Sequence, residues 1–296
     1  MKLVGHENAI SIIKSFVKKG KESDAYIFCG PKGVGKKKTA WLLAISQVCK
    51  RGEVLNPCFS CDECRRAVNK NHPSIIEVEP EGLSIKREIL KEVLEELQFK
   101  PYSGEKRFII IDDAEDLTLK SANMLLKTIE EPPRGVFIIL ITSSIRKILP
   151  TIRSRCKHVY FGLLTDEEVA KVFEMEGVPK DAVFINLADG SPGTGISLMK
   201  EFSSGIGVFD EIFQLIKSPS IKKVLEISES LVRREGLIDL LELFKHWVVK
   251  SKIYPDQIKT VSIVERVDVA CKEIRMNANK SLTITKLLID LVKLSV

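Results

Sequence analysis

The sequence has no long hydrophobic run. Its longest purely aliphatic and aromatic stretch, residues 136–141, is far too short to span a bilayer. No apolar segment follows Met1-Lys2-Leu3-Val4-Gly5-His6, so no export signal is expected. Strong charge bias is also missing: 46 basic against 40 acidic residues leave a net charge of +6. That mild excess permits nucleic-acid contact without demanding it. Aromatics are scarce at 6%, and there is no internal repeat or low-complexity segment. With no membrane or export signal, the expected compartment is the cytoplasm. In that reducing setting the seven cysteines favour metal binding over disulfides.

What is present is enough for a sizeable core. A chain of 296 residues suggests two or three domains at roughly 100–150 residues each, and a hydrophobic content of 44% is ordinary for globular proteins.

Residues 7–19 carry apolar side chains at helical spacing, with Gly20 as a stop. Ala25-Tyr26-Ile27-Phe28-Cys29 predicts a buried strand, and residues 36–48 predict a helix. Strands are predicted at Ile75-Ile76-Glu77-Val78, at 107–111 and at 136–142, with helices at 85–99 and 117–130. Alternating helices and apolar strands imply a parallel sheet covered on both faces, with ligands at the carboxyl ends of its strands. From Thr165 the strand signals fade. Helices are expected at 165–176, capped by Thr165 with Glu168, and at 182–187, broken by Gly190-Ser191-Pro192-Gly193. Residues 202–296 read as all-helical, with loops near Ser218-Pro219 and Tyr254-Pro255.

Between the first strand and the following helix stands Gly30-Pro31-Lys32-Gly33-Val34-Gly35-Lys36-Lys37. The phosphate-loop pattern G-x-x-x-x-G-K-[ST] requires a hydroxyl at its last place, to ligate magnesium. Lys37 stands there instead, and an ammonium has no lone pair for a metal. Thr39 is no clear substitute, because two residues along a helix is about 200° round its axis.

Cys58, Cys61 and Cys64, with Cys49 upstream, place four thiols within sixteen residues. Chance would give the C-x-x-C-x-x-C core in about four per thousand such chains, so this signal outweighs the loop. Four sulfurs suit a closed, structural zinc site rather than a catalytic one; a C-x-x-C redox pair is the alternative. Cys29, Cys156 and Cys271 read as ordinary cysteines.

Asp112-Asp113-Ala114-Glu115 ends the third predicted strand. Asp112 fits the magnesium-holding acid of nucleotide hydrolases, or else a helix-capping acid. Glu115 is expected to face elsewhere. In Thr151-Ile152-Arg153-Ser154-Arg155-Cys156 the two arginines would point to different sides of a helix, and a solvated basic turn is the favoured local reading.

These segments, together with Val4-Gly5-His6, Leu125-Leu126-Lys127-Thr128-Ile129-Glu130-Glu131-Pro132-Pro133 and Ser154-Arg155-Cys156, resemble the bacterial sliding-clamp loader subunits of the AAA+ class. The resemblance covers nearly the whole chain and is strongest to the delta-prime family. It implies an AAA+ RecA-like domain at 1–162 with a zinc module at about 49–66. A helical lid at 163–203 and a helical collar at 204–296 would follow.

By resemblance, Gly30, Gly33, Gly35, Lys36, Lys37, Asp112, Asp113 and Thr142 form a degenerate nucleotide site, with Thr142 at the sensor position. Lys37, Asp113 and Gly193 replace the magnesium hydroxyl, the water-positioning Glu and the phosphate-sensing Arg of the hydrolysing sister subunit. The chain also ends soon after its collar, where long forms of that sister carry extra domains. ATP and Mg2+ binding stays open, because Lys36 and the loop amides can still cradle phosphate.

Arg155 would be an arginine finger acting in trans on a neighbour's ATP site. The implied role is a stator, not catalytic by itself, in a heteropentamer with gamma/tau and delta subunits. That assembly would load the sliding clamp onto primed DNA at the nucleoid-associated replisome. The competing expectations are an ATP-hydrolysing gamma/tau-like motor and a zinc-dependent nucleic-acid-binding module. The latter is weakened by the lack of clustered aromatics for base stacking.

Overall fold

The structure, a computed structural model, describes residues 2–18, 23–82, 84–97, 106–202, 207–234, 236–251 and 257–294. The expected stop at Gly20, the helix end at Phe99 and the Tyr254-Pro255 loop lie outside the described residues.

Two compact units result: Met1–Val172 with Ser191–Gly193, and Phe173–Gly190 with Thr194–Val296. The first holds a five-stranded sheet. Its strands are β1 (Asp24–Cys29), β2 (Ile75–Val78), β3 (Arg107–Ile111), β4 (Val136–Thr142) and β5 (Lys157–Tyr160), in the order β2-β3-β4-β1-β5. Every pairing is parallel. The residues of β1, β3 and β4 are buried throughout, the two-sided burial that continuous apolar strands require.

Helices α1 (Glu7–Lys18), α2 (Lys36–Val48), α3 (Asp62–Val68), α4 (Arg87–Glu96), α5 (Leu119–Glu130) and α6 (Pro150–Arg153) belong to this unit. Gly35 precedes α2 with φ of 104°, a left-handed turn that suits glycine and starts the helix abruptly. Thr118 caps α5 by accepting from the Ser121 N–H at 3.2 Å. Helix α7 (Asp166–Met175) opens with the anticipated reciprocal cap. The Thr165 N–H donates to Glu168 at 2.9 Å, and the Glu168 N–H donates to the Thr165 hydroxyl at 3.3 Å.

Two sequence expectations need extending. Strand β5 was not anticipated, since Lys157-His158-Val159-Tyr160 has a single fully buried side chain. It is an edge strand and pairs only with β1 among the described residues. Helix α3, inside the cysteine segment, was also unanticipated; seven residues are too few to show a period.

Described helices of the second unit include α8 (Ala182–Ala188), α10 (Gly207–Lys217), α11 (Ile221–Val232), α12 (Leu237–Ser251), α13 (Gln257–Arg275) and α14 (Lys280–Lys293); α9 (Pro192–Phe202) starts on Pro192. Phe209, Phe244 and Trp247 pack together with ring centroids 5.2–5.9 Å apart. No strand occurs there among the described residues, in line with the expected helical remainder. No described helix is long and apolar enough to cross a membrane.

Candidate functional site: the glycine loop and the cysteine module

Parallel register brings the ends of four strands together. Cys29 lies opposite Thr142, Ile111 opposite Leu140, and Val78 opposite Ile111. The loop of Gly30, Gly33, Gly35 and Lys36 leaves β1 at this edge, Asp112 and Asp113 leave β3, and Thr142 ends β4. All eight predicted nucleotide-site residues therefore belong to one edge of the sheet.

The loop's polar groups have partners within the chain. Lys36 Nζ donates to the carbonyls of Gly30 at 2.6 Å and Pro31 at 2.7 Å. Burial lowers the pKa of Lys36, against the opposing charges of Glu115 and Asp112. Thr39 is buried, and its hydroxyl donates to the Gly35 carbonyl at 3.0 Å. It points back along its own helix, as expected for a residue that cannot replace position 37.

Lys37 is the centre of the site. Its ammonium lies 2.7 Å from Glu77 Oε1 and 3.2 Å from Asp112 Oδ2, and it bonds to Glu79 as well. Burial pulls its pKa down, but the bonds to Glu77 and Glu79 and the charge of Asp112 outweigh that and raise it. Burial likewise pushes Glu77 up, and Lys37 with Lys70 pull it below the ordinary carboxylate range. A positive charge thus stands among three carboxylates, Asp112 included. Neither Glu77 nor Glu79 was singled out from sequence. The available signal was Lys37 itself, because a half-buried ammonium at a strand-edge site needs carboxylate partners.

Asp113, with φ of 43°, turns to the loop and pairs with Lys32 at 3.2 Å. Glu115 corrects an expectation: its carboxylate accepts the Ser143 N–H at 3.0 Å and bonds to the Ser143 hydroxyl, just beyond β4. A short 3-10 turn at Ala114–Asp116 redirects it there, which a two-residue offset does not reveal. The buried Thr142 hydroxyl accepts the Ser144 N–H at 3.0 Å.

Gly193 closes the loop from outside. Its N–H donates to the Gly33 carbonyl at 2.9 Å, and the Ser191 hydroxyl bonds to the Lys32 carbonyl. A Cβ on Gly193 would stand 2.9 Å from Gly33 Cα, so no side chain fits in this arrangement.

Arg155 lies just past α6, half exposed. Its Nε is 2.8 Å from Glu130 Oε1, and its Nη1 donates to the Thr151 carbonyl at 3.0 Å.

Cys49, Cys58, Cys61 and Cys64 converge, their sulfurs all within 4.8 Å of one another. A tetrahedral site with metal–sulfur bonds of about 2.3 Å has sulfurs about 3.8 Å apart, so small adjustments fit the set to a metal. The Cys49 sulfur accepts N–H bonds from Cys58 at 3.4 Å and Arg51 at 3.5 Å, the kind of support thiolate ligands receive. Hydrogen bonds from Ser60 bring Cys58 down to about 5, whereas burial pushes Cys64 up. These four cysteines can hold a metal ion. The other three lie outside the cluster; burial raises Cys156 to about 12 and also raises Cys271.

Residues 5–165 match the family described as "DNA polymerase III, delta subunit". The delta' subunit of DNA polymerase III from Bacillus subtilis (strain 168) is 32% identical over 228 residues, covering 77% of this chain and 65% of that protein. The gamma/tau subunit from Mycobacterium tuberculosis (strain ATCC 25618 / H37Rv) is 34% identical over 212 residues, covering 69% of this chain and 37% of that one. The chain thus spans less than two thirds of the length of either relative. A gamma subunit-related protein of Thermotoga maritima aligns over 97% of this chain and 100% of its own, at 18% identity and a TM-score of 0.46. The family match takes in the sheet, the glycine loop and the cysteine module, more than half of the 296 residues, and this chain belongs to the DNA polymerase III delta subunit family.

Proposed function

We propose that the chain is a delta-prime-type stator of a bacterial clamp loader, which does not turn over ATP at its own loop. One observation carries this: Lys37 places a fixed ammonium among Glu77, Glu79 and Asp112, where a nucleotide hydrolase needs a divalent ion. Lys36 gives two of its three N–H bonds to the loop's own carbonyls, and Gly193 offers backbone where a phosphate-sensing arginine would stand.

Arg155 is the group offered to a neighbour. It is half exposed, and its exposed ion pair to Glu130 and its hydrogen bond to the Thr151 carbonyl cost little to exchange for a phosphate. The four cysteines hold zinc, as a closed structural site. Residues 163–203 act as the lid and 204–296 as the collar of a heteropentamer with gamma/tau and delta subunits. That assembly uses ATP to open the sliding clamp and place it on primed DNA.

The likeness to gamma/tau subunits favours a second reading, an ATP-hydrolysing motor. Steady-state ATPase of the isolated chain separates the two. No turnover is expected; robust turnover that vanishes on Lys36→Ala refutes the stator. In the reconstituted loader, Arg155→Ala leaves assembly intact and lowers ATPase, since such fingers are worth about 10³–10⁵-fold in GTPases. Unchanged ATPase there removes the finger assignment.

A further inference from the structure

Lys70 sits where its backbone is poorly suited. Helix α3 closes with the Asn71 N–H on the Arg66 carbonyl at 2.9 Å and the Lys70 N–H on the Ala67 carbonyl at 3.0 Å. This is a Schellman closure, whose left-handed position favours glycine. Lys70 holds that position with φ of 57°.

What lysine adds there is reach. Lys70 Nζ lies 2.7 Å from Glu77 Oε2, while Glu77 Oε1 lies 2.7 Å from Lys37 Nζ. Glu77 is a β2 residue with a side chain only 11% exposed. One carboxylate therefore joins the turn that ends the cysteine module's helix to the residue that fills the loop's cation place.

A second tie fixes the same helix to β2. Glu63, between Cys61 and Cys64, bonds to His72 Nε2 at 3.1 Å, and His72 Nδ1 accepts the Ser74 N–H at 3.1 Å. Lys70 also stands over the Trp41 ring of α2, 5.7 Å from its centroid.

We propose that metal in the cysteine module holds the glycine loop in its closed arrangement through the relay Lys70–Glu77–Lys37. A seven-residue helix does not persist alone, so α3 depends on its attachments. Metal binding at four thiolates supplies folding free energy to that segment. When α3 frays, Lys70 leaves Glu77 and the grip on Lys37 weakens; by linkage, an opened loop weakens the module in return. The inference rests on the metal reading of the cysteines and is independent of the clamp-loader role.

Hydrogen–deuterium exchange on the full chain tests it, in metal-loaded and chelator-stripped forms, with metal counted by elemental analysis. Stripping is expected to speed exchange strongly in residues 49–70 and about two- to fivefold in residues 33–38. Lys70→Gly keeps the left-handed turn while removing the ammonium. With metal fully retained, it should speed residues 33–38 by a similar factor and change residues 49–66 far less than stripping does. Loop exchange unaltered by Lys70→Gly overturns the relay, as does stripping that alters the module alone. Freshly purified chain without metal overturns the metal half separately.

Discussion

Replacing Lys37 by methionine removes the ammonium and keeps most of the stem. Glu77, Glu79 and Asp112 then face one another without the charge that holds them together. Glu77 is the most enclosed of the three, its side chain 11% exposed, and it retains Lys70. Lys37 is 35% exposed, so solvent screens part of the interaction. Breaking a fully buried pair costs about 3–5 kcal/mol and a surface pair about 0–1 kcal/mol, which places this one near 1–2 kcal/mol.

The pH dependence carries the argument. The folded chain holds Glu77 below its ordinary value of 4.5, so its contribution is present above that pH and lost as pH falls through the folded value. Lys37 is held above 10.5, so its contribution is complete below that pH and lost only at more alkaline values. Both contributions are therefore whole near pH 7. Thermal unfolding of wild type and Lys37→Met at pH 7 should differ by about 2–8 °C. The gap should shrink as pH falls below 4.5 and through the folded-state value of Glu77. A gap of the same size at pH 7 and in acid would refute the charge argument and leave lost packing as the cause.

Gly193→Ala places a Cβ 2.9 Å from Gly33 Cα, so the segment must shift; a loss of about 1–3 kcal/mol is expected by denaturant melt, and no loss would mean that the contact is loose. Elemental analysis should find one metal per chain, with zinc expected. Cys61→Ser should lose it and release residues 49–66 to limited proteolysis; retained metal would count against the four-thiolate site. Glu115→Ala strands the Ser143 N–H and hydroxyl and should cost about 1–3 kcal/mol in chemical denaturation, whereas a neutral effect would show that water replaces the carboxylate.

Much of the sheet was legible because β3 and β4 are buried throughout: residues 107–111 and 136–142 are mainly apolar runs with clear ends, and they fold as read, as does 75–78 around the partly buried Glu77. The loop and the cysteines were legible because their chemistry depends on local spacing. The partners of Lys37 were not. Glu77 and Glu79 lie some forty residues away and meet it only because β2 flanks β3, a neighbour relation that residue patterns do not encode. Glu115 was missed for a local reason, the 3-10 turn that swings it to Ser143. Strand β5 escaped because an edge strand of four residues needs little apolar character.

A free magnesium ion comes and goes with the nucleotide that brings it. The ammonium of Lys37 is covalently bound to its own site, so its local concentration is set by the length of one side chain and not by the surroundings. Glu77, Glu79 and Asp112 accordingly find their counter-charge within the folded chain. Dilution, chelation of free magnesium or a fall in nucleotide supply has nothing to remove from them. A loop closed this way owes its cation to the chain itself and does not wait on a supply of metal or nucleotide.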